Sequence, residues 1–391
     1  MMHSKLLASG FRPTFLAAGV AAVLLVPTWM LIWAFGFALP SRWPPTLWHA
    51  HEMVFGFVAA AIGGFLLTTV PSWTGRRGFA GVPLAVLTGL WLLGRVLIAT
   101  STVWPPGVVM AIDVGFLVML GVLVAPPLLR SSNRNTPLLV VLALLAISNS
   151  ISHWAVMRSD LPLGLHAILI AIDISLILVT IIGGRIVPAF TASALRSASS
   201  SPRQLHAWPG VSAAAIAAMV ALTLGDLFWP DTRLAGVLAA AAAVIQAIRI
   251  VQWRSLATLR NPIVWVLHLG YAWLPVGLAL KAAALLWGPA TSAFWLHALT
   301  VGVLATMVLA VMTRAALGHT GRSLTVEPAI ALGYLLLLGA GLLRVFGLTV
   351  LGLPYPTIIL LSAACWTAAF GIFLYVYAPI LWSPRADGKP G

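Results

Sequence analysis

Apolar residues run along this chain in long stretches, each closed by a short polar or Pro/Gly-rich connection, and the pattern continues from end to end. A hydrocarbon core about 30 Å thick needs roughly 20 apolar residues per helix. Twelve stretches meet that requirement, near 14–39, 46–70, 83–100, 105–127, 137–156, 162–188, 209–225, 232–249, 262–286, 290–313, 328–348 and 355–380. The predicted fold is all-α: a polytopic membrane protein of about twelve transmembrane helices, forming a single integral membrane domain over residues 1–391. Pro and Gly punctuate the connections, as in Pro71-Ser72-Trp73-Thr74-Gly75 and Trp104-Pro105-Pro106-Gly107. The longest polar connection, Thr191 to Pro209, is Ser-rich and divides the helices six and six. Met1 to Gly10 lacks a cleavable signal pattern, so the first helix is expected to stay as an anchor.

Composition sharpens this reading. Of the 391 residues, 61% are hydrophobic and 8% charged, against about 25% charged in soluble domains, which excludes a soluble globular fold. The one cysteine, Cys365, excludes an internal disulfide and thiolate-ligated clusters. A net charge of +14 invites nucleic acid as a partner, but the placement of the basic residues removes that reading. With the N-terminus inside, only Arg42, Arg158 and Arg233 lie on outer connections, and Arg95, Lys281 and Arg344 lie within helices. The other Lys and Arg residues fall on inner connections and tails, as the positive-inside rule requires. Both termini are therefore expected to be cytoplasmic, and the partner of the apolar surface is membrane lipid.

The chain also echoes itself. His51 in helix 2 and His297 in helix 10 each stand 25 residues before the Arg of a Thr-Gly-Arg triplet, Arg76 and Arg322. The same alignment matches Gly56 with Gly302 and Ala59 with Ala305. With His166 in helix 6, the histidine-bearing helices are four apart, which suits three four-helix units.

Ionisable groups inside lipid are costly and mark function. At about 1.5 Å per residue, His49, His51, His153, His166 and His297 share one outer layer, together with Arg95, Asp113, Lys281 and Arg344. Glu52 is close by, and Asp173 lies deeper. Neutral imidazole is the commonest transition-metal ligand, and axial histidine often holds haem iron. Residues two apart on a helix differ by about 200°, so His49 and His51 point to opposite sides and are poorly placed to chelate one ion, though one helix can offer a ligand to each of two flanking centres, while His49 and Glu52 share a face. The plainer alternative stays open: an intramembrane histidine more often hydrogen-bonds a neighbouring helix, and the embedded Arg and Lys can pair with Asp113 and Asp173. His268, two turns inside helix 9, reads as a ligand of a second centre or a packed polar residue.

Several motifs resemble one family. Gly10-Phe11-Arg12-Pro13, Trp48 to Phe57 (WHAHEMVFGF), Val70 to Arg76 (VPSWTGR), His268 to Pro275 (HLGYAWLP) and His297 to Arg322 are similar to the NnrS family of bacterial inner-membrane proteins. The resemblance covers essentially the whole chain. It implies a role in nitric oxide metabolism and nitrosative stress, with haem (b-type) and copper as cofactors. It carries His49, His51, Glu52, His268, His297 and His319 as motif residues, the last in a cytoplasmic connection, without fixing their roles. The layout is also similar to haem–copper oxidase catalytic subunits, although their His-x-His pair lies on helix 10 and this one on helix 2.

The leading expectation is a haem-containing, copper-bearing redox protein acting on nitric oxide in nitrosative stress or denitrification, an oxidoreductase of the nitric oxide reductase type fed by a quinol or cytochrome c. His51 and His297 would ligate one haem, with His268 as a further haem-ligand candidate. His49, His153 and His166 would serve the second metal. Glu52 and Asp113 would carry protons, and Arg95, Lys281 and Arg344 would neutralise propionates, which favour charged hydrogen bonds. Two alternatives are a non-enzymatic haem protein that binds or senses nitric oxide or protects cellular iron, and a small-molecule transporter. A transporter site belongs near the bilayer midplane, whereas these groups are biased outward.

Overall fold

A computed structural model describes residues 5–131, 133–198, 208–288 and 292–389. Among them, twelve helices are long and apolar enough to cross a membrane. In chain order they are α1 (Phe11–Phe35), α2 (Pro45–Thr74), α3 (Val82–Ala99), α4 (Pro106–Arg130), α5 (Leu138–Met157) and α6 (Leu161–Arg196), then α7 (Val211–Phe228), α8 (Arg233–Val251), α9 (Pro262–Trp287), α10 (Phe294–His319), α11 (Pro328–Phe346) and α12 (Tyr355–Trp382). No strand occurs among the described residues.

The ends that differ from expectation have local causes. α1 stops at Phe35, short of the apolar run through Leu39, because Gly36 takes a left-handed conformation (φ +68°) and its N–H closes back onto the carbonyl of Ile32. α6 runs through Pro188, where the sequence pattern placed its end, into an Ala- and Ser-containing tail. Of the polar connection that follows, residues 199–207 lie outside the described residues. α10 extends to His319, so that histidine ends a helix instead of sitting in a connection; Ala315, Ala316 and Leu317 are strong helix formers that sustain the last turns.

Packing gathers the helices into two compact units, where the spacing of the histidines had suggested three. The first comprises residues up to Ile172, Met312–Ser323 and the segment from Phe370 onward. Within it α1 lies against α2, α2 against α4, and α4 against both α3 and α5. The second comprises Asp173–Val311 and Leu324–Ala369, with α8 against α7 and α9, and α10 against α9 and α11.

Helices in lipid gain little from apolar burial against one another, so directed polar contacts count for more. In the first unit Arg12, fully buried at the start of α1, donates from Nη1 to the carbonyls of Leu381 and Ser383, each at 2.7 Å. A cation there satisfies the orphan carbonyls at the end of α12 and complements its dipole, which gives Gly10-Phe11-Arg12-Pro13 a structural role. The tail then folds back: Arg385 donates from Nη1 to the His319 carbonyl at 2.9 Å, and the Ala386 N–H reaches the Thr320 carbonyl at 2.9 Å. Arg385 also grips Asp387 through two bonds, 2.9 and 2.5 Å, holding that carboxyl at about 2, below its ordinary range.

The internal echo is structural as well. His51 and His297 each lie immediately before a π-helical stretch, Glu52–Val58 and Ala298–Ala305. π-Helical turns are rare and concentrate at functional sites. The two Thr-Gly-Arg triplets also share a geometry: Gly75 and Gly321 both take positive φ, +66° and +70°. The Arg76 N–H bonds the Pro71 carbonyl at 3.1 Å, and the Arg322 N–H bonds the Leu317 carbonyl at 3.0 Å.

Candidate functional site

In the first unit the π-helical stretch of α2 widens the helix just below His51, and the Trp91 indole of α3 donates to the Gly56 carbonyl inside it at 2.8 Å. This presents His51 and Glu52 to α3, α4 and α5. Arg95 of α3 donates from Nη1 to Glu52 Oε1 at 2.5 Å and from Nη2 to Asp113 Oδ1 on α4. On α5, Asn149 donates through Nδ2 to Asp113 Oδ2 at 2.8 Å, and His153 Nε2 lies 3.0 Å from the same oxygen. His51 Nε2 is 2.8 Å from Asn149 Oδ1 and 3.2 Å from Asp113 Oδ2, while its Nδ1 is 3.2 Å from Glu52 Oε1.

His51, Asp113 and His153 each offer a ligand atom, and the three atoms lie within 4.8 Å of one another. All three side chains are buried, as are Glu52 and Asn149. Trp43, on the connection before α2, covers them: its ring is 4.3 Å from His51 and meets His153 edge-on at 5.0 Å. The connection is pinned by Arg42, whose Nε donates to the Ser101 carbonyl at 2.9 Å, and by Ser41, whose hydroxyl donates to the Ile98 carbonyl at 2.8 Å.

The hydrogen-bond directions are informative. The Asn149 amide nitrogen is committed to Asp113, so its oxygen faces His51 and accepts. Every polar atom facing the His51 ring is then an oxygen acceptor, so the ring finds a partner in either tautomer. A metal cation between His51, Asp113 and His153 would take the place of protons on those ligands.

The cluster brings together His51, Glu52, Arg95, Asp113 and His153. It does not include His49 and His166, both half-buried in the first unit; His49 turns to α1, where it stacks on Trp29 at 4.7 Å. His268, His297, Lys281 and Arg344 belong to the second unit. There His268 has both nitrogens engaged, Nε2 with Thr191 Oγ1 at 2.7 Å and Nδ1 with Ser255 Oγ at 2.9 Å. Lys281 pairs with Asp226 at 2.5 Å, and Arg344 donates to the Tyr355 hydroxyl at 3.1 Å. Sequence reasoning missed Asn149 and Trp43. The run Ser148-Asn149-Ser150-Ile151-Ser152-His153 inside an apolar helix was a usable signal for the first; nothing local distinguished Trp43 from an interfacial tryptophan.

Comparison with known families decides the kinship: the family described as "NnrS protein" matches residues 5–385, nearly the full length. The chain belongs to the NnrS family. No curated protein matches it. NnrS membership links the chain to nitric oxide metabolism, and its twelve apolar helices make it a membrane protein. Within this NnrS-family chain the buried two-histidine, one-carboxylate cluster is the described group with the chemistry of a metal centre.

Proposed function

We propose that this NnrS-family protein is a metal-dependent redox protein acting on nitric oxide, with a copper ion held by His51, His153 and Asp113. The observation that carries the reading is the convergence of two imidazoles and one carboxylate in a buried cluster. Imidazole with carboxylate suits copper and ferrous iron, and copper is what the family resemblance implies. Haem, the other implied cofactor, does not fit on His51, because its ring packs 4.3 Å from Trp43 and 5.0 Å from Phe55 and leaves no room for a macrocycle. His268 has hydroxyl partners on both nitrogens. Haem would fall to His49 or His297.

When bound, the copper would supply one-electron transfer and a site for nitric oxide. The protein groups do the rest. Nitric oxide is apolar and enters from lipid without a polar channel. Its reduction consumes two NO, two electrons and two protons and yields N2O and water. Glu52, hydrogen-bonded to His51 and Arg95, is placed to pass protons. Asn149 and Arg95 orient Asp113, the supporting contacts that fix a ligand's geometry. Trp43 keeps bulk water off the cluster. Electrons would come from a quinol or cytochrome c. The bias of basic residues supports cytoplasmic termini, and the bacterial inner membrane is what the family resemblance implies.

The test is anaerobic nitric oxide consumption by purified, copper-loaded protein with a reduced donor, with N2O measured in the headspace. Turnover lost in His153→Ala and retained in His166→Ala supports the reading. Stoichiometric binding without turnover would instead favour a nitric oxide-binding or sensing role, and failure to bind nitric oxide at all would refute both.

A further inference from the structure

A second buried ionic group belongs to the second unit and shares no residue with the cluster just described. Asp226, two residues from the end of α7, accepts from Lys281 Nζ of α9 at 2.5 Å, and the face of Trp295 on α10 covers that ammonium at 4.6 Å. Asp173 of α6 completes the group. It is 3% exposed, and its Oδ2 finds no donor among the described residues. Its carboxyl is instead in hydrogen-bonding range of the Asp226 carboxyl.

Two carboxylates cannot hydrogen-bond each other, because both only accept. A proton between them turns one into a donor and satisfies both. The charge count agrees: two carboxylates and one ammonium leave one uncompensated negative charge, which is expensive in a buried site, and one proton removes it. Of the two carboxyls, Asp226 already has the ammonium, so the proton belongs on Asp173. The charged groups acting on Asp173 are Asp226 from α7 and Lys281 from α9, and α10 contributes the Trp295 ring.

We infer that Asp173, Asp226 and Lys281 form a proton-binding site in the second unit, with Asp173 held as a neutral carboxylic acid that exchanges its proton through Asp226. Asp226 is the more accessible carboxyl, at 7% exposed and close to the helix end. A single positive charge closes the count that Lys281 leaves open, and the proton is the cation that also turns one carboxyl into a donor for the other; a sodium ion would supply the charge without the donor. The inference does not rest on the copper centre or on nitric oxide.

The experiment is infrared difference spectroscopy of the full-length protein near neutral pH, in H2O and D2O, reading the C=O stretch of protonated carboxyls. Asp173→Asn should remove one such band, and Asp113→Asn should leave that band in place. Lys281→Met should add a second band of similar intensity, because without the ammonium Asp226 takes up a proton as well. That variant, with aspartate carbons isotopically labelled, carries the test if Asp173→Asn does not fold. A spectrum unchanged by Asp173→Asn, no new band in Lys281→Met, or a band abolished by adding sodium would each overturn the assignment.

Discussion

Replacing Arg95 with methionine takes from Glu52 and Asp113 the guanidinium they share. The two carboxylates do not lose equally. Asp113 keeps the Asn149 amide at 2.8 Å and His153 at 3.0 Å, so its desolvation stays largely compensated. Glu52 is left with its 3.2 Å contact with His51, and 2% of its side chain is exposed. Removing one partner of a buried ion pair costs about 3–5 kcal/mol. The surviving contacts of Asp113 put the expected loss near the lower end, about 3 kcal/mol. Adding Glu52→Gln removes the stranded charge, so the double variant should regain roughly 1–2 kcal/mol, a coupling of the size seen between contacting residues. Unfolding titrations of the parent, the Arg95→Met and Glu52→Gln single variants and the double variant in one mixed-micelle system measure both quantities. An Arg95→Met stability within about 0.5 kcal/mol of the parent, the range of an ordinary surface change, would refute the buried-pair account. So would a double variant no more stable than the single one.

Three further outcomes follow from the geometry. Arg12→Ala strands the carbonyls of Leu381 and Ser383; with about 1.5–3 kcal/mol for a hydrogen bond to a charged group, a clear loss of stability is expected, while copper content per folded chain stays unchanged. Asp387 is held at about 2 by Arg385, so the contact is complete above the ordinary carboxylate range and is lost as pH falls through about 2. Asp387→Asn should therefore loosen the C-terminal tail at neutral pH, read as faster carboxypeptidase trimming; equal trimming rates would remove the tail clasp from the account. His153→Ala should lower copper affinity by 10-fold or more, which is at least the effect of losing a supporting residue, whereas His166→Ala leaves it unchanged; equal losses in both would sink the assignment of ligands.

The helices were legible because lipid demands long apolar runs, and α2 to α5 and α7 to α9 fall within a few residues of where hydropathy placed them. The ends of α1, α6 and α10 were not, because hydropathy does not register a left-handed Gly36, a tolerated Pro188 or the helix-forming residues around Arg314. The candidate site was half visible. Ionisable residues in apolar helices flagged His51, Glu52, Arg95, Asp113 and His153 one by one, and the shared outer layer hinted at proximity. Which of them meet depends on helix packing: His153 faces Asp113, while His49 turns to Trp29 and His166 lies outside the cluster. The repeat of His51 and His297 was read as a pair of ligands to one haem. In the structure it is also a repeat of local form, each histidine introducing a π-helical stretch.

Copper content and the EPR spectrum of the purified protein, compared with those of His51→Ala and His153→Ala, test the central claim most directly. About one copper per chain with nitrogen hyperfine structure, lost in both variants while His166→Ala retains it, is the predicted result, with proton release on binding because the ligands must shed their protons. A folded protein that takes up no copper, or one that keeps the same signal in both variants, would contradict the metal centre.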